Sequence, residues 1–206
     1  MKATAVIAVT LLAFSACASP VIPVAVDQRY FDVACGRIGM TPQEFAQRKF
    51  SFSLDFSDAV ITDPVGMKKF YSVDVRSGVR FVSDHVLRRE APKVHILGLE
   101  VEVGEGGVTA ETTPIFFLKV RGRDTAGHEF SFEKGASGPA VGVFQSAEKR
   151  NAKLTESANI AFMAAFLRMV VTIDAQIGAK EKRPNQTPEP TAMSVTPPAA
   201  QEPRQP

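Results

Sequence analysis

From Ser157 to Ile177 the chain carries a run that only a covered helix can hold. Ile160, Met163, Phe166, Leu167, Val170, Ile173 and Ile177 recur at intervals of three and four, the repeat that lines one side of an α-helix. Nearly all of 158–173 is apolar as well, so most of the circumference has to be kept from water. The run is not a membrane span, because Arg168 sits in its middle and Asp174 follows, and buried charge is expensive in lipid. A helix of about 21 residues is about 31 Å long, enough to cross a five- or six-stranded sheet. Gly178 ends it.

The strands to be crossed lie before it. In Phe50–Ser57 apolar and polar residues alternate, placing three phenylalanines and Leu54 on one face and small hydroxyls plus Asp55 on the other. Asp63-Pro64-Val65-Gly66 punctuates the chain. Residues 67–76 read as a strand with Tyr71, Val73 and Val75 alternating, and Ser77-Gly78 as a turn. Residues 79–90 fit strand or helix equally. Residues 94–103 are a strand with Leu97, Leu99, Val101 and Val103 inward and Glu100 and Glu102 outward.

The hairpin over 115–134 allows its register to be derived. A two-residue loop would set Arg121 against Phe130 and mix polar with apolar partners. A three-residue loop, Thr125-Ala126-Gly127, sets Asp124 opposite His128. Gly122 then meets Phe130 and Val120 meets Phe132 on one face, while Arg123 meets Glu129 and Lys119 meets Glu133 on the other. Gly127 suits the left-handed position such loops need, and matched cross-strand pairs favour this register by roughly 0.2–1 kcal/mol each. Residues 135–146, rich in Gly, Ser and Pro, read as a loop. Earlier, Thr41-Pro42-Gln43-Glu44 starts a short helix ending near Arg48: Thr41 caps, Pro42 suits the first turn, and Glu44 closes a capping box. Strands followed by a helix imply an α+β fold: an antiparallel sheet of five or six strands with one long C-terminal helix packed across it.

The first residues are of another kind. Lys2 is followed by an uncharged stretch, Ala3 to Ser15, too short to span a bilayer and of the length of an export signal. Ala13-Phe14-Ser15-Ala16-Cys17 resembles the lipobox of bacterial lipoproteins, with Phe14 where that family usually has Leu. The resemblance covers only residues 1–17. It implies cleavage before Cys17, a lipid on its sulfur and an acylated amine, with Ala18, rather than Asp, implying the outer membrane. Two other outcomes stay open: Ala16-Cys17-Ala18 also fits an ordinary signal-peptidase site leaving Ser19 first, and the segment could remain as an uncleaved anchor.

The expected organisation is a signal peptide over 1–16, a tether over 17–38, the α+β domain over 39–180 and a Pro-rich disordered tail over 181–206. That tail holds seven of the chain's 14 prolines and few large apolar residues.

Chemistry is sparse. Lys plus Arg number 24 and Asp plus Glu 22, which gives no dense basic face for nucleic acid. Lipidation of Cys17 leaves Cys35 as a single thiol, expected to act as a small buried hydrophobe. His85, His95 and His128 have no pair at metal-ligand spacing. Asp84-His85 are adjacent and face apart. Gly135-Ala136-Ser137-Gly138 lacks the spacing of a nucleophile turn and reads as a plain turn. Lys149-Arg150-Asn151-Ala152-Lys153 is a basic cluster before the helix. No cofactor is called for. The expected role is a non-catalytic binding or accessory module of the cell envelope, held at the membrane through Cys17 and partnered with another envelope protein. The alternative is an envelope hydrolase whose site gathers Asp55, Asp84, His85, His95 and His128.

Overall fold

The computed structural model describes residues 21–66, 70–107 and 110–181. Residues 1–16, Cys17 and nearly all of the Pro-rich tail lie outside them.

The chain opens with strand β1 (Ile22–Val24), a 3-10 turn (Gln28–Tyr30) and helix α1 (Phe31–Arg37). Residues 22–37 are thus built into the fold rather than forming a tether. Strand alternation over Ile22-Pro23-Val24 buries Ile22 and Val24 and turns Pro23 outward, and that burial outweighs the breaking effect of Pro23. Helix α2 (Pro42–Gln47) follows with the expected capping box: Glu44 N–H donates to Thr41 Oγ1, and Thr41 N–H donates to the Glu44 carboxylate.

Strand β2 is only Ser53–Asp55. The Phe50–Phe52 alternation buries both rings, but no partner strand runs beside them. Ser53 departs from the outward face: its hydroxyl donates to the Ala91 carbonyl at 2.8 Å, and it is buried. Strand β3 (Val60–Gly66) runs through the Asp63-Pro64 sequence, with its register on the next strand shifting between Thr62 and Val65. A proline is tolerated there because β3 is an edge strand interrupted by a bulge. Strand β4 is Tyr71–Val73. Val75, Ser77 and Gly78 are not strand and turn but helix α3 (Val75–Phe81), capped by Asp74 accepting from Ser77 N–H. Gly78 is a packing residue: a Cβ there would lie 2.2 Å from Cε2 of Phe166. One π-turn (Val82–Val86) follows.

Strands β5 (Lys93–Gly106), β6 (Glu111–Arg123) and β7 (Glu129–Ser137) form the antiparallel centre. The β6–β7 hairpin has the derived register, with Gly122 opposite Phe130, Val120 opposite Phe132 and Lys119 opposite Glu133. Gly127 takes φ +87°, and Asp124 N–H donates to the His128 carbonyl at 2.9 Å. Leu97 corrects the expected β5 face. The β5–β6 register shifts between Ile96 and Gly98, so Leu97 is the extra residue of a bulge. Val94 and Ile96 before it, and Leu99, Val101 and Val103 after it, all reach the core.

The sheet has six strands, ordered β2-β5-β6-β7, with β3 also on β5 and the short β8 (Val141–Gly142) on β6. The β2 and β3 pairings with β5 are parallel, so antiparallel pairs make the centre and parallel ones an edge. A separate two-stranded parallel sheet joins β1 to β4.

Helix α4 (Ala147–Glu181) packs across the sheet and against α1, α3 and β1. It begins ten residues before the expected start, with Ser146 at its cap: Ser146 Oγ accepts from the Lys149 N–H at 3.4 Å and its carbonyl takes the Arg150 N–H at 2.9 Å. The basic cluster 149–153 is therefore helical, not loop. Ser157 through Leu167 are all buried, as the apolar run requires, and the helix thus passes for a membrane span by composition while most of it is enclosed by protein. Arg168 is tied down rather than solvated: its guanidinium donates to the carbonyls of Gly135 on β7, at 2.5 Å, and Arg37 at the end of α1, at 3.0 Å. Replacing Arg168 by methionine keeps the stem and loses both bonds; we expect destabilisation of about 1.5 kcal/mol, the scale of one charged hydrogen bond on a half-exposed group, read as a lowered urea midpoint.

Candidate functional site

The residues with chemistry fall in separate places. Asp55 and His95 are cross-strand partners on the parallel β2–β5 pair, with Oδ2 3.6 Å from Nδ1 and the Lys93 ammonium 3.7 Å away. The Ser57 backbone N–H donates to Asp55 at 2.9 Å. That bond is the main reason the carboxyl is held below its usual pKa, with Lys93 and His95 adding to it. Asp84 instead pairs with Arg89 at 2.9 Å, and His85 stacks on Phe81 with ring centroids 5.3 Å apart. His128 lies at the hairpin tip beside Asp124, 3.3 Å away. Asp124 is buried and organises that turn by accepting from the N–H groups of Ala126 and His128. Of the five hydrolase candidates, only Asp55 and His95 meet, and they meet at a sheet edge with His95 half exposed.

Cys35 is fully buried. Burial, and secondly the charge of Asp32, push its thiol up to about 11. We expect Cys35 in the Cys17→Ser protein to resist iodoacetamide at pH 8 and to react once urea unfolds the chain, because alkylation needs exposed thiolate. Rapid native labelling would contradict this placement.

Two clefts and a groove stand out among the described residues. The larger cleft, about 490 Å³, lies beside β1 and β4 and is lined by residues 23–27 and 72–74 with Thr155 and Asn159 of α4. Its floor is built by Asn159, the one amide in the apolar part of α4. Asn159 Oδ1 accepts from the Ala25 N–H at 2.7 Å, and its amide nitrogen donates to the Thr155 carbonyl at 2.8 Å. Ser77 Oγ likewise takes the Val26 N–H at 2.8 Å. Side chains thus hold the backbone where β1 runs out of partner strand. A second cleft, about 450 Å³, lies between Phe50-Ser51 and residues 88–91. Both volumes are in the range of small-molecule sites. The groove, about 230 Å³, crosses the outer face of the sheet, where Arg121 lies over Gly98 among Val60, Thr62, Glu100, Lys119 and Ser131. Lys119 is ion-paired with Glu102 on this face. None of the three is lined by Asp55, Asp84, His85, His95 or His128.

Of the buried polar side chains among the described residues, Thr112 accepts from the Arg150 guanidinium at 3.4 Å and the others bond backbone groups. Ser53, Asp124 and Asn159 are bonded as described, and Ser157 Oγ donates to the Pro139 carbonyl at 2.6 Å. The clefts can bind, but their walls bring no histidine or cysteine to the space they enclose. Sequence reading missed the cleft beside β1. A lone amide in an otherwise apolar helix was its only signal.

No protein-family model matches the chain, and no curated protein does. Among solved structures it is similar to a minor lipoprotein from Acinetobacter baumannii, at 11% identity and TM-score 0.34 over 58% of this chain and 94% of that one. It is also similar to a candidate lipoprotein from Caulobacter crescentus CB15, at 12% identity and TM-score 0.34 over 66% of this chain and 96% of that one. Scores this low leave the fold and role of this chain to rest on its own residues.

Proposed function

We propose that the chain is an exported envelope lipoprotein, cut before Cys17 and held by lipid on that residue at the periplasmic face of the outer membrane. Its folded body is a non-catalytic binding or accessory module, and another envelope protein is its partner. The observation that carries this reading is the Ala13–Cys17 sequence, placed five residues before the first strand at Ile22. Only residues 18–21 separate Cys17 from that strand. Support for binding over catalysis comes from the chemistry of the two clefts, which are concave and part apolar and whose linings carry no histidine or cysteine. A single acyl chain binds membrane weakly, whereas the several chains of a lipoprotein hold firmly.

The test is to express the wild type and Cys17→Ser with labelled palmitate. Wild-type protein should take up label and sediment with membranes. The serine variant should take up none and move to the soluble fraction. A wild type that carries no label and sediments no better than the variant sinks the proposal.

A further inference from the structure

We infer that the end of the fold from which the Cys17 segment emerges rests on the bilayer, with Val21, Phe70 and Phe144 as its lipid-facing side chains. This builds on the lipid anchor proposed above. From Cys17 to Val21 is four residues, which reach at most about 14 Å. An anchor at Cys17 therefore holds the Val21 end of the body against the membrane and leaves it little freedom to turn away.

That end collects exposed apolar side chains. Ile22 N–H donates to the Phe70 carbonyl at 2.7 Å, so Val21 and Phe70 sit side by side. They are 55% and 39% exposed. Tyr71 next to them reaches Glu105 at the end of β5, 3.4 Å away. Across the β5–β6 turn, Glu111 and Thr112 pair with Gly142 and Val141 of β8, and Val143 N–H donates to the Ala110 carbonyl. Phe144 follows directly and is 89% exposed, the most of any large apolar side chain among the described residues. A phenylalanine left in water adds nothing to the fold; buried in an interface it removes a large apolar area from water. The opposite end of the sheet, at the Thr125-Ala126-Gly127 tip, is a β6 length away, about 40 Å, and carries none of these residues.

Among the described residues the charges nearby are mixed: Lys149 and Lys153 are exposed on the first turns of α4, but so are Glu148 and Glu156, and Glu105 and Glu111 are exposed on the strands. Lys68 and Lys69 directly precede Phe70 in the sequence, so attraction to anionic headgroups adds to the apolar attraction of the patch.

The test uses lipidated full-length protein in vesicles of phosphatidylethanolamine and phosphatidylglycerol, with an environment-sensitive dye on Ala147→Cys or, as control, on Ala126→Cys. Buried Cys35 does not compete for the dye, and lipidated Cys17 has no thiol. The dye at 147 should shift to shorter wavelength and be quenched by brominated acyl chains, and the dye at 126 should do neither. Phe70→Ser with Phe144→Ser should remove most of the quenching at 147. Equal behaviour of the two positions overturns the inference. So does a blue shift at 147 without bromine quenching, which means that protein covers the patch. Palmitate uptake is read on the same preparation: protein without it removes the anchor, whereas lipidated protein with an unquenched 147 dye removes only the docking face.

Discussion

Replacing Phe162 by alanine is expected to cost about 3–5 kcal/mol of folding stability, the range for deleting a buried phenyl ring. Phe162 is fully buried at the middle of a run of rings. Its centroid lies 5.2 Å from Phe116 on the sheet and 5.2 Å from Phe166 one turn along α4, and Phe116 in turn meets Tyr71 at 6.0 Å. The ring therefore joins the helix, the main sheet and the β1–β4 pair. A domain of this kind has only about 5–15 kcal/mol to lose, so the variant should be partly unfolded at modest urea. Phe144→Ala is the contrast. Exposed at 89%, that ring should shift the urea midpoint by less than about 0.5 kcal/mol in equivalent stability. Similar midpoints for the two variants would contradict the placement of Phe162.

Gly78→Ala is the second large effect, about 3 kcal/mol and at the upper end for overpacking a core. The added methyl would stand 2.2–2.6 Å from three atoms of the Phe166 ring. That ring is itself enclosed and cannot swing away, so α3 and α4 have to part. The mechanism makes a further prediction. With Phe166→Leu in the same chain, the glycine substitution should cost about 1–2 kcal/mol less than it does alone, as expected for residues in contact. Additive costs in the urea midpoints would show that something other than this clash is at work.

Gly78 also shows where sequence reading stops. Ser77-Gly78 has the composition of a turn, and only the ring it receives from a residue 88 positions later makes it a helix position. Non-local causes account for the other departures. Asp63-Pro64 looks like a break, yet an edge strand accepts it with a bulge. The phase change in β5 depends on Leu97 being squeezed out opposite β6. The parallel direction of β2 and β3 cannot be read from strands of three and seven residues, because alternation is the same in either direction. Local causes were legible. The hairpin loop at 125–127 follows from side-chain matching and one glycine, the α2 capping box from four residues, and the long helix with its sheet from a 3.6-residue repeat. The candidate site was the least legible. The cleft beside β1 depends on Asn159 meeting Ala25, 134 residues away.

The position of α4 in the chain sets an order of events. It is the last of the described elements, and the sheet, β1 and α1 all close onto it. Until residues 158–173 have been delivered, the inward faces of β6 and β7 lack the helix that covers them. A chain made N-terminus first therefore spends most of its synthesis as an adhesive intermediate, the state most prone to aggregate. Truncation anywhere before about residue 173 should leave insoluble protein rather than a smaller domain.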